Sequence, residues 1–301
     1  MNISIRAKLY AQIRNFFQHL RVLEVETPLL YCSSATDPYI KSFVTHYNNK
    51  TFYLQTSPEF CMKRLLCAGS GDIYQICKAF RDDEISQKHN PEFTLLEWYR
   101  VGFTHHQLIQ EVDELLQTVL HTEPADKISY QQLFLQYLTI DPLTATMDTL
   151  QLCAYQHNLH LPNKIDKDDY LNILLTHLIE PHIAHQRPLF IYDYPASQAA
   201  LAKIRKGNPP VAERFEVYYQ GLELANGYHE LTDSKEQRQR FEADNRKRQQ
   251  FGLPLIPIDE KLLQAMEQGM PACAGVALGL DRLLMLATGI QDIRKVKSPN
   301  I

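Results

Sequence analysis

The stretch KHNPEFTLLEWY, Lys88 to Tyr99, decides how the rest of the chain is read. Its second half, FTLLEWY, is dense in aromatic and aliphatic residues and reads as a β-strand. Side chains alternate along a strand, so Phe93, Leu95, Glu97 and Tyr99 share one face while Thr94, Leu96 and Trp98 share the other. A carboxylate thus stands between aromatic rings on a face that reads as buried. Such an acid is either a structural ion-pair member at a sheet edge or part of a binding site, and the stretch by itself does not separate the two.

Outward from this stretch, DIYQICKAF is a second strand, joined to the first by a polar loop, and TFYLQT (51–56) is a third. Between them SPEFCMKRLLCAG reads as a helix with Ser57 as N-cap, Pro58 in the first turn and Gly69 at the stop. Ser4 to Arg21 is an amphipathic helix, and VLEVETPLL after it is extended up to Pro28, which cannot continue a ladder. From His105 to about Arg187 the pattern is mostly helical, without trustworthy metal-ligand spacing, and reads as a helical insertion (about 104–187) packed on the sheet. PLFIYDYP returns to strand, RFEVYYQGLELANGYHEL reads as a hairpin turning near Gln220–Gly221, and a charged helix starts at the Asp233 cap. Its basic run Arg246, Lys247, Arg248 reads as a solvated face. ACAGVAL and GLDRLLMLATG close the chain as strand and helix. Strands separated by irregular and helical pieces, without βαβ alternation, predict an α+β fold: one antiparallel sheet flanked by helices.

The 301 residues are 45% hydrophobic and 22% charged, an ordinary globular balance with ample material for a core. A net charge of −4 gives no sign of the basic surface used to bind nucleic acid. The N-terminal MNISIRAKLYAQIRNFF has no apolar signal core, and no stretch is long enough to span a bilayer, so a soluble, cytoplasmic protein is expected. The six cysteines include no CxxC pair and read mostly as small reduced core residues.

Three clusters break the rule that acids and arginines stay off apolar elements. Arg81 leaves an apolar strand in FRDDE, placed to grip phosphate with its planar fork. In the hairpin, a turn centred on Tyr219–Gln220 sets Glu216 opposite Glu223, a repulsion that a divalent cation such as Mg²⁺ relieves. Asn226, Tyr228 and Glu230 share one face, and a bulge near Ala225–Gly227 is needed to bring them onto the same side as Glu223. GVALGLDR, Gly275 to Arg282, places small residues on a strand that runs into a helix carrying Arg282 in its first turn.

In order along the chain, VLEVETPLL, FRDDEISQKHNPEFTLLEWY and GVALGLDRLLML resemble motifs 1, 2 and 3 of the class II aminoacyl-tRNA synthetases. HNPEFT and ELANGYHEL narrow the resemblance to the lysyl-tRNA synthetase group. Motif 1 begins about twenty residues in, where that group carries an N-terminal OB-fold. No OB-fold is expected here, and the chain resembles the paralogous branch that modifies a protein lysine. The resemblance implies a single catalytic domain over 1–301, a homodimer built on motif 1, ATP and Mg²⁺ as cofactors, and activation of (R)-β-lysine for transfer to elongation factor P. It also implies roles. Arg81 would hold the α-phosphate, Arg282 would cover the adenine opposite Phe93, and Asp83, His89, Asn90, Glu223, Leu231 and Gly279 would complete the ATP site. Glu216 and Glu223 would hold the metal. Ser57, Glu59, Glu97, Tyr99, Asn226, Tyr228, Glu230 and Ala277 would surround an amino acid bearing ammonium groups. Three positions depart from the group: the R-x-E acid is Asp83 with Glu84 beside it, Lys88 replaces an arginine, and Ala277 replaces a glycine, which reshapes the amino-acid pocket. A truncated synthetase charging tRNA and an inactive synthetase-like regulator are the rival readings.

Overall fold

The computed structural model describes residues 3–82, 85–159, 161 and 165–296. Helix α1 (Ile3–His19) leads into β1 (Leu23–Glu24) and β2 (Leu30–Tyr31), and β3 (Val44–Tyr47) with β4 (Lys50–Leu54) precedes α2 (Glu59–Cys67). Strands β5 (Ile73–Phe80) and β6 (Glu92–Val101) and helix α3 (His105–Leu120) follow, then β7 (Asp126–Ser129), α4 (Tyr130–Leu138), α5 (Met147–Gln156) and α6 (Lys167–Leu174). The chain continues through β8 (Leu189–Pro195), β9 (Ile204–Arg205), β10 (Val211–Tyr219) and β11 (Leu222–His229). Helices α7 (Ser234–Gln250) and α8 (Glu260–Gly269), strand β12 (Cys273–Gly279) and helix α9 (Leu280–Thr288) complete it.

One nine-stranded sheet, ordered β1-β5-β6-β12-β11-β10-β8-β7 with β9 paired to β10, forms the scaffold. Its body is antiparallel, as the pattern predicts, and only the outer pairs β1–β5 and β7–β8 are parallel. Alternation decides what each face does. Leu96 and Trp98 of β6, Val276 and Leu278 of β12, and Phe215 and Val217 of β10 are buried under α1, α3 and α9. A second cluster gathers α4, α5 and α6 over β8, and a third joins α2 and α8 to Tyr99 and Cys273. At about 25 cal/mol per Å² of apolar surface, these faces carry the stability of the sheet. The opposite face of β6, β11 and β12 is left for the site.

Several expectations need correction. VTHY (44–47) is a strand that the pattern did not reveal, because all four residues are exposed; it turns through Asn48 and Asn49, both at positive φ, the hairpin geometry asparagine tolerates. β7, with Asp126 and Lys127 exposed and only Ile128 packed inward, was missed because four residues carry too short an alternation. Pro58, not Ser57, is the N-cap of α2; Ser57 Oγ instead accepts from the Glu59 N–H at 3.1 Å and donates to Glu97 at 2.7 Å. Arg248 is no solvated residue: it is buried, and its guanidinium donates to the carbonyls of Pro254 and Asp37. Cys32 is exposed, unlike the buried Cys61, Cys77, Cys153 and Cys273. Asp83 and Glu84 lie outside the described residues.

Candidate active site

The odd face of β6 opens into a cavity of roughly 390 Å³, within the range of small-molecule sites. Register explains its content. In the middle of the sheet Glu97 is flanked by Gln75 of β5 and by Ala277 of β12, which in turn pairs with Asn226 of β11. The hairpin of β10 and β11 turns at Gln220–Gly221, both at positive φ, as its sequence reads, but the pairing of Glu216 with Glu223 assumed a turn one residue earlier, and the observed turn moves the register by two residues. Tyr218, not Glu216, stands opposite Glu223, and Glu216 stands opposite Asn226. The ladder then slips at Leu224, which has no partner and turns into the core. That bulge lies just before the expected position and does the expected work: Glu223, Asn226, Tyr228 and Glu230 all line the cavity.

One end of the cavity is a knot of acids. Glu59, Glu97 and Glu230 line it, and the ammonium of Lys63 reaches Glu59 at 2.7 Å and Glu230 at 2.6 Å. Burial draws the Lys63 ammonium toward neutrality, but Glu230 and Glu59 more than offset this and hold it charged. Glu97 receives hydrogen bonds from Ser57 and from the Tyr99 hydroxyl, each at 2.7 Å, and no cation. Burial, and then the charge of Glu59, push the Glu97 carboxyl up to about 8. Burial raises Glu230 to about 7 against the pull of Lys63. Among the described residues the one ammonium at this end reaches two of the three carboxylates, so this end of the cavity is short of positive charge.

The other end carries arginines. The Arg81 guanidinium lies over the Phe93 ring at 5.1 Å. Arg282 donates to the Glu223 carbonyl at 2.6 Å, lies 3.1 Å from His89 Nε2, and approaches the Glu223 carboxylate at 3.7 Å. Lys88 ties the loop before β6 to the hairpin tip through the Gly221 carbonyl at 2.7 Å. Burial and the nearby Glu216 raise Glu223, while Arg282, Arg214 and Arg81 oppose them. Buried Asp281 ties α9 to β6 and α1, accepting from the Thr94 N–H at 2.8 Å and from Arg6 at 2.6 Å.

The structure brings together Ser57, Glu59, Arg81, His89, Asn90, Phe93, Glu97, Tyr99, Glu223, Asn226, Tyr228, Glu230, Ala277, Gly279 and Arg282 around the one cavity. Two expected residues are not in its lining. Leu231 is buried beside it. Glu216 lies under the hairpin, where both of its oxygens accept hydrogen bonds, one from Arg214 and the other from Tyr194 and Tyr218 at 2.7 Å each. Two charged residues were missed. Lys63 was legible as the i+4 partner of Glu59, and Arg214 as a cation alternating with Glu216 on an apolar strand. At Gly275 the space beside the backbone is filled by Tyr99 and Glu230: an added Cβ would stand 2.3 Å from the Tyr99 ring.

A sheet-borne cavity with acids at one end and arginines at the other is the layout of a ligase that joins a cationic amino acid to a nucleotide. The family model for class II tRNA synthetases (D, K and N) matches residues 1–298, and the chain belongs to that family. Within it, the chain is 51% identical to the elongation factor P–(R)-beta-lysine ligase of Salmonella typhi, over 98% of this chain and 93% of the relative. The ligases of the same name from Photorhabdus laumondii and Klebsiella pneumoniae are each 52% identical, over 100% and 98% of this chain and 95% and 93% of theirs.

Proposed function

We propose that this chain activates (R)-β-lysine with ATP and transfers it to a lysine side chain of elongation factor P. One observation carries the reading: among the described residues the acids Glu59, Glu97 and Glu230 line one end of a cavity where the Lys63 ammonium reaches only Glu59 and Glu230, and the cavity opens toward two arginines. A dicationic amino acid supplies the missing charge, and Arg81 and Arg282 line the other end of the cavity, where they face the anionic triphosphate. The names of the relatives support the particular amino acid and the acceptor.

The substrate carboxylate attacks the α-phosphorus of ATP and pyrophosphate leaves, giving a mixed anhydride with AMP. The neutral amine of the acceptor lysine then attacks the carbonyl, AMP departs, and the nitrogen loses a proton as the amide forms. No protein nucleophile is needed. Glu97 and its neighbours anchor the ammonium groups, so the carboxylate is held in line, and Arg81 and Arg282 stabilise phosphate charge that grows in the transition state. The donor set at the hairpin fits an oxygen-seeking divalent cation: the Glu223 carboxylate lines the cavity on the arginine side, and burial and then the charge of Glu216 raise it. Glu223 would hold Mg²⁺, and Glu216, whose oxygens are already engaged, would contribute charge from behind it. The ion would neutralise the phosphates.

Exposed Leu23, Leu29 and Leu30 lie along motif 1 beside α1 and support a two-fold homodimer. No described helix is long and apolar enough to cross a membrane, which fits a cytoplasmic enzyme. The charge of −4 favours a protein acceptor over stable tRNA binding. ATP–pyrophosphate exchange tests the activation step: β-lysine should drive it, and Glu223→Gln should abolish it with the fold intact. Exchange by the variant at the parent rate would refute the metal-bearing role of Glu223.

A further inference from the structure

A second cluster of chemically able side chains lies at the N-terminus of α3, and none of its members lines the cavity. His105 is 1% exposed, yet neither of its ring nitrogens makes a hydrogen bond. Its Nε2 stands 3.3 Å from Asp193 Oδ1, and that oxygen makes no hydrogen bond either. Two buried polar atoms face one another without the alignment of a hydrogen bond. A separation of 3.3 Å instead matches two ligands of one tetrahedral ion, because metal bonds of about 2.0–2.1 Å set neighbouring ligand atoms about 3.3–3.4 Å apart. Ligand atoms of His105, His106 and Asp193 all lie within 4.8 Å of one another.

The backbone concentrates these groups. Ala212 pairs with Tyr194 and Phe215 with Tyr192, so Glu213 and Arg214 together stand opposite Asp193. Asp193 itself has φ +58°. A bulge of this kind re-aims side chains: Arg214 turns into the cavity, and Glu213 turns to His229. His229 and Glu213 also come within reach of His105, but they already satisfy each other at 2.5 Å. Arg205 holds the other Asp193 oxygen at 2.5 Å and is 44% exposed, free to swing toward Glu213 when a cation arrives.

We propose that His105, His106 and Asp193 form a site for a divalent metal of the zinc type, with its remaining position open to water. Two imidazoles and one carboxylate favour zinc over magnesium. The ion would pin the start of α3 to the bulge that orients Arg214, tying a structural clamp to the wall of the cavity. Nothing in this depends on the adenylation chemistry.

The test uses the full chain, stripped with chelator and titrated with Zn²⁺ in excess Mg²⁺, with Co²⁺ as the spectroscopic probe. One Zn²⁺ per chain is expected, with the d–d bands of four-coordinate cobalt and a Tm rise of about 5 °C at a hundredfold excess over Kd. Because His106 is exposed, His106→Gln should fold and still lose at least about tenfold in Zn²⁺ affinity, and Asp193→Asn should do the same. Variants that bind as tightly as the parent would assign the ion to another place, exposed Cys32 among them, and overturn the proposal. A parent that binds no Zn²⁺ would reduce the cluster to a hydrogen-bonding and ion-pair network and overturn it equally.

Discussion

Glu97 shows how far one residue can be read. Strand parity in FTLLEWY put it beside Tyr99 on a buried face, and the structure places it there, bonded to Ser57 and Tyr99. What the sequence could not show is its protonation. Burial, and then the charge of Glu59, push the carboxyl up to about 8, so at neutral pH an incoming ammonium displaces a proton. Amino-acid affinity should therefore rise with pH up to about 8, by at most about tenfold per unit, and flatten above. Glu97→Gln should remove the part of that dependence between about pH 7 and 8, leaving the part below about 7 that belongs to Glu230, and weaken the amino acid by about 10- to 100-fold with ATP affinity unchanged. An equal pH profile in the variant would refute the role. The same variant bears on stability. A carboxyl raised by folding is deprotonated first in the unfolded chain, so it destabilises increasingly from about pH 4 to its folded value. Glu97→Gln should thus melt higher than the parent at pH 8, and the gap should shrink toward pH 4. Lys63 is the converse case. Lys63→Met leaves Glu59 and Glu230 buried without their cation, and should cost about 3–5 kcal/mol in urea unfolding. A loss below 1 kcal/mol would mean that the acids share protons instead.

At the scale of elements, the legible parts were those with apolar periodicity. α1 and α3 carry an apolar stripe, and β5, β6 and β12 are largely apolar runs buried on both faces, so the pattern places them. The exposed β3 carries no such pattern and β7 is too short to show one, so both were invisible. The hairpin and its turn at Gln220–Gly221 were legible, but setting Glu216 opposite Glu223 assumed a turn one residue earlier: the observed turn moves the pairing by two residues and the slip at Leu224 by one more, so Glu216 meets Asn226 and the slip brings Glu223, Asn226 and Tyr228 onto a common face. One-residue shifts of this kind reverse every side chain, which is why the metal-side geometry was harder to read than the amino-acid side. Close packing between neighbouring strands gives a sharper prediction. A Cβ at Gly275 would stand 2.3 Å from the Tyr99 ring and 2.6 Å from the Glu230 carboxylate. Gly275→Ala should cost about 1–3 kcal/mol of stability and reduce amino-acid binding more than ATP binding, read by thermal melts and two separate titrations. Parent-like binding of both ligands would show that Tyr99 yields without disturbing the pocket.

At the scale of the whole molecule, three sequence segments far apart in the chain meet at Asp281, which joins α1, β6 and α9 through Arg6 and the Thr94 N–H. The order of the motifs along the sequence carried the family resemblance, and the sheet explains it: β6 and β12 are adjacent, so motifs 2 and 3 face one cavity. Motif 1 stands at the edge, with Leu23, Leu29 and Leu30 exposed. Sedimentation at micromolar concentration should report a dimer, and Leu30→Glu should shift it toward monomer; a monomeric parent would contradict the proposed interface. The central claim is the acceptor and the amino acid together, and intact-mass analysis of elongation factor P after incubation with this protein, ATP, Mg²⁺ and (R)-β-lysine tests both at once. The predicted result is a mass gain of one β-lysyl group on a single lysine, absent without ATP and accompanied by negligible charging of tRNA-Lys. An unchanged mass, or efficient charging of the tRNA in its place, would contradict it.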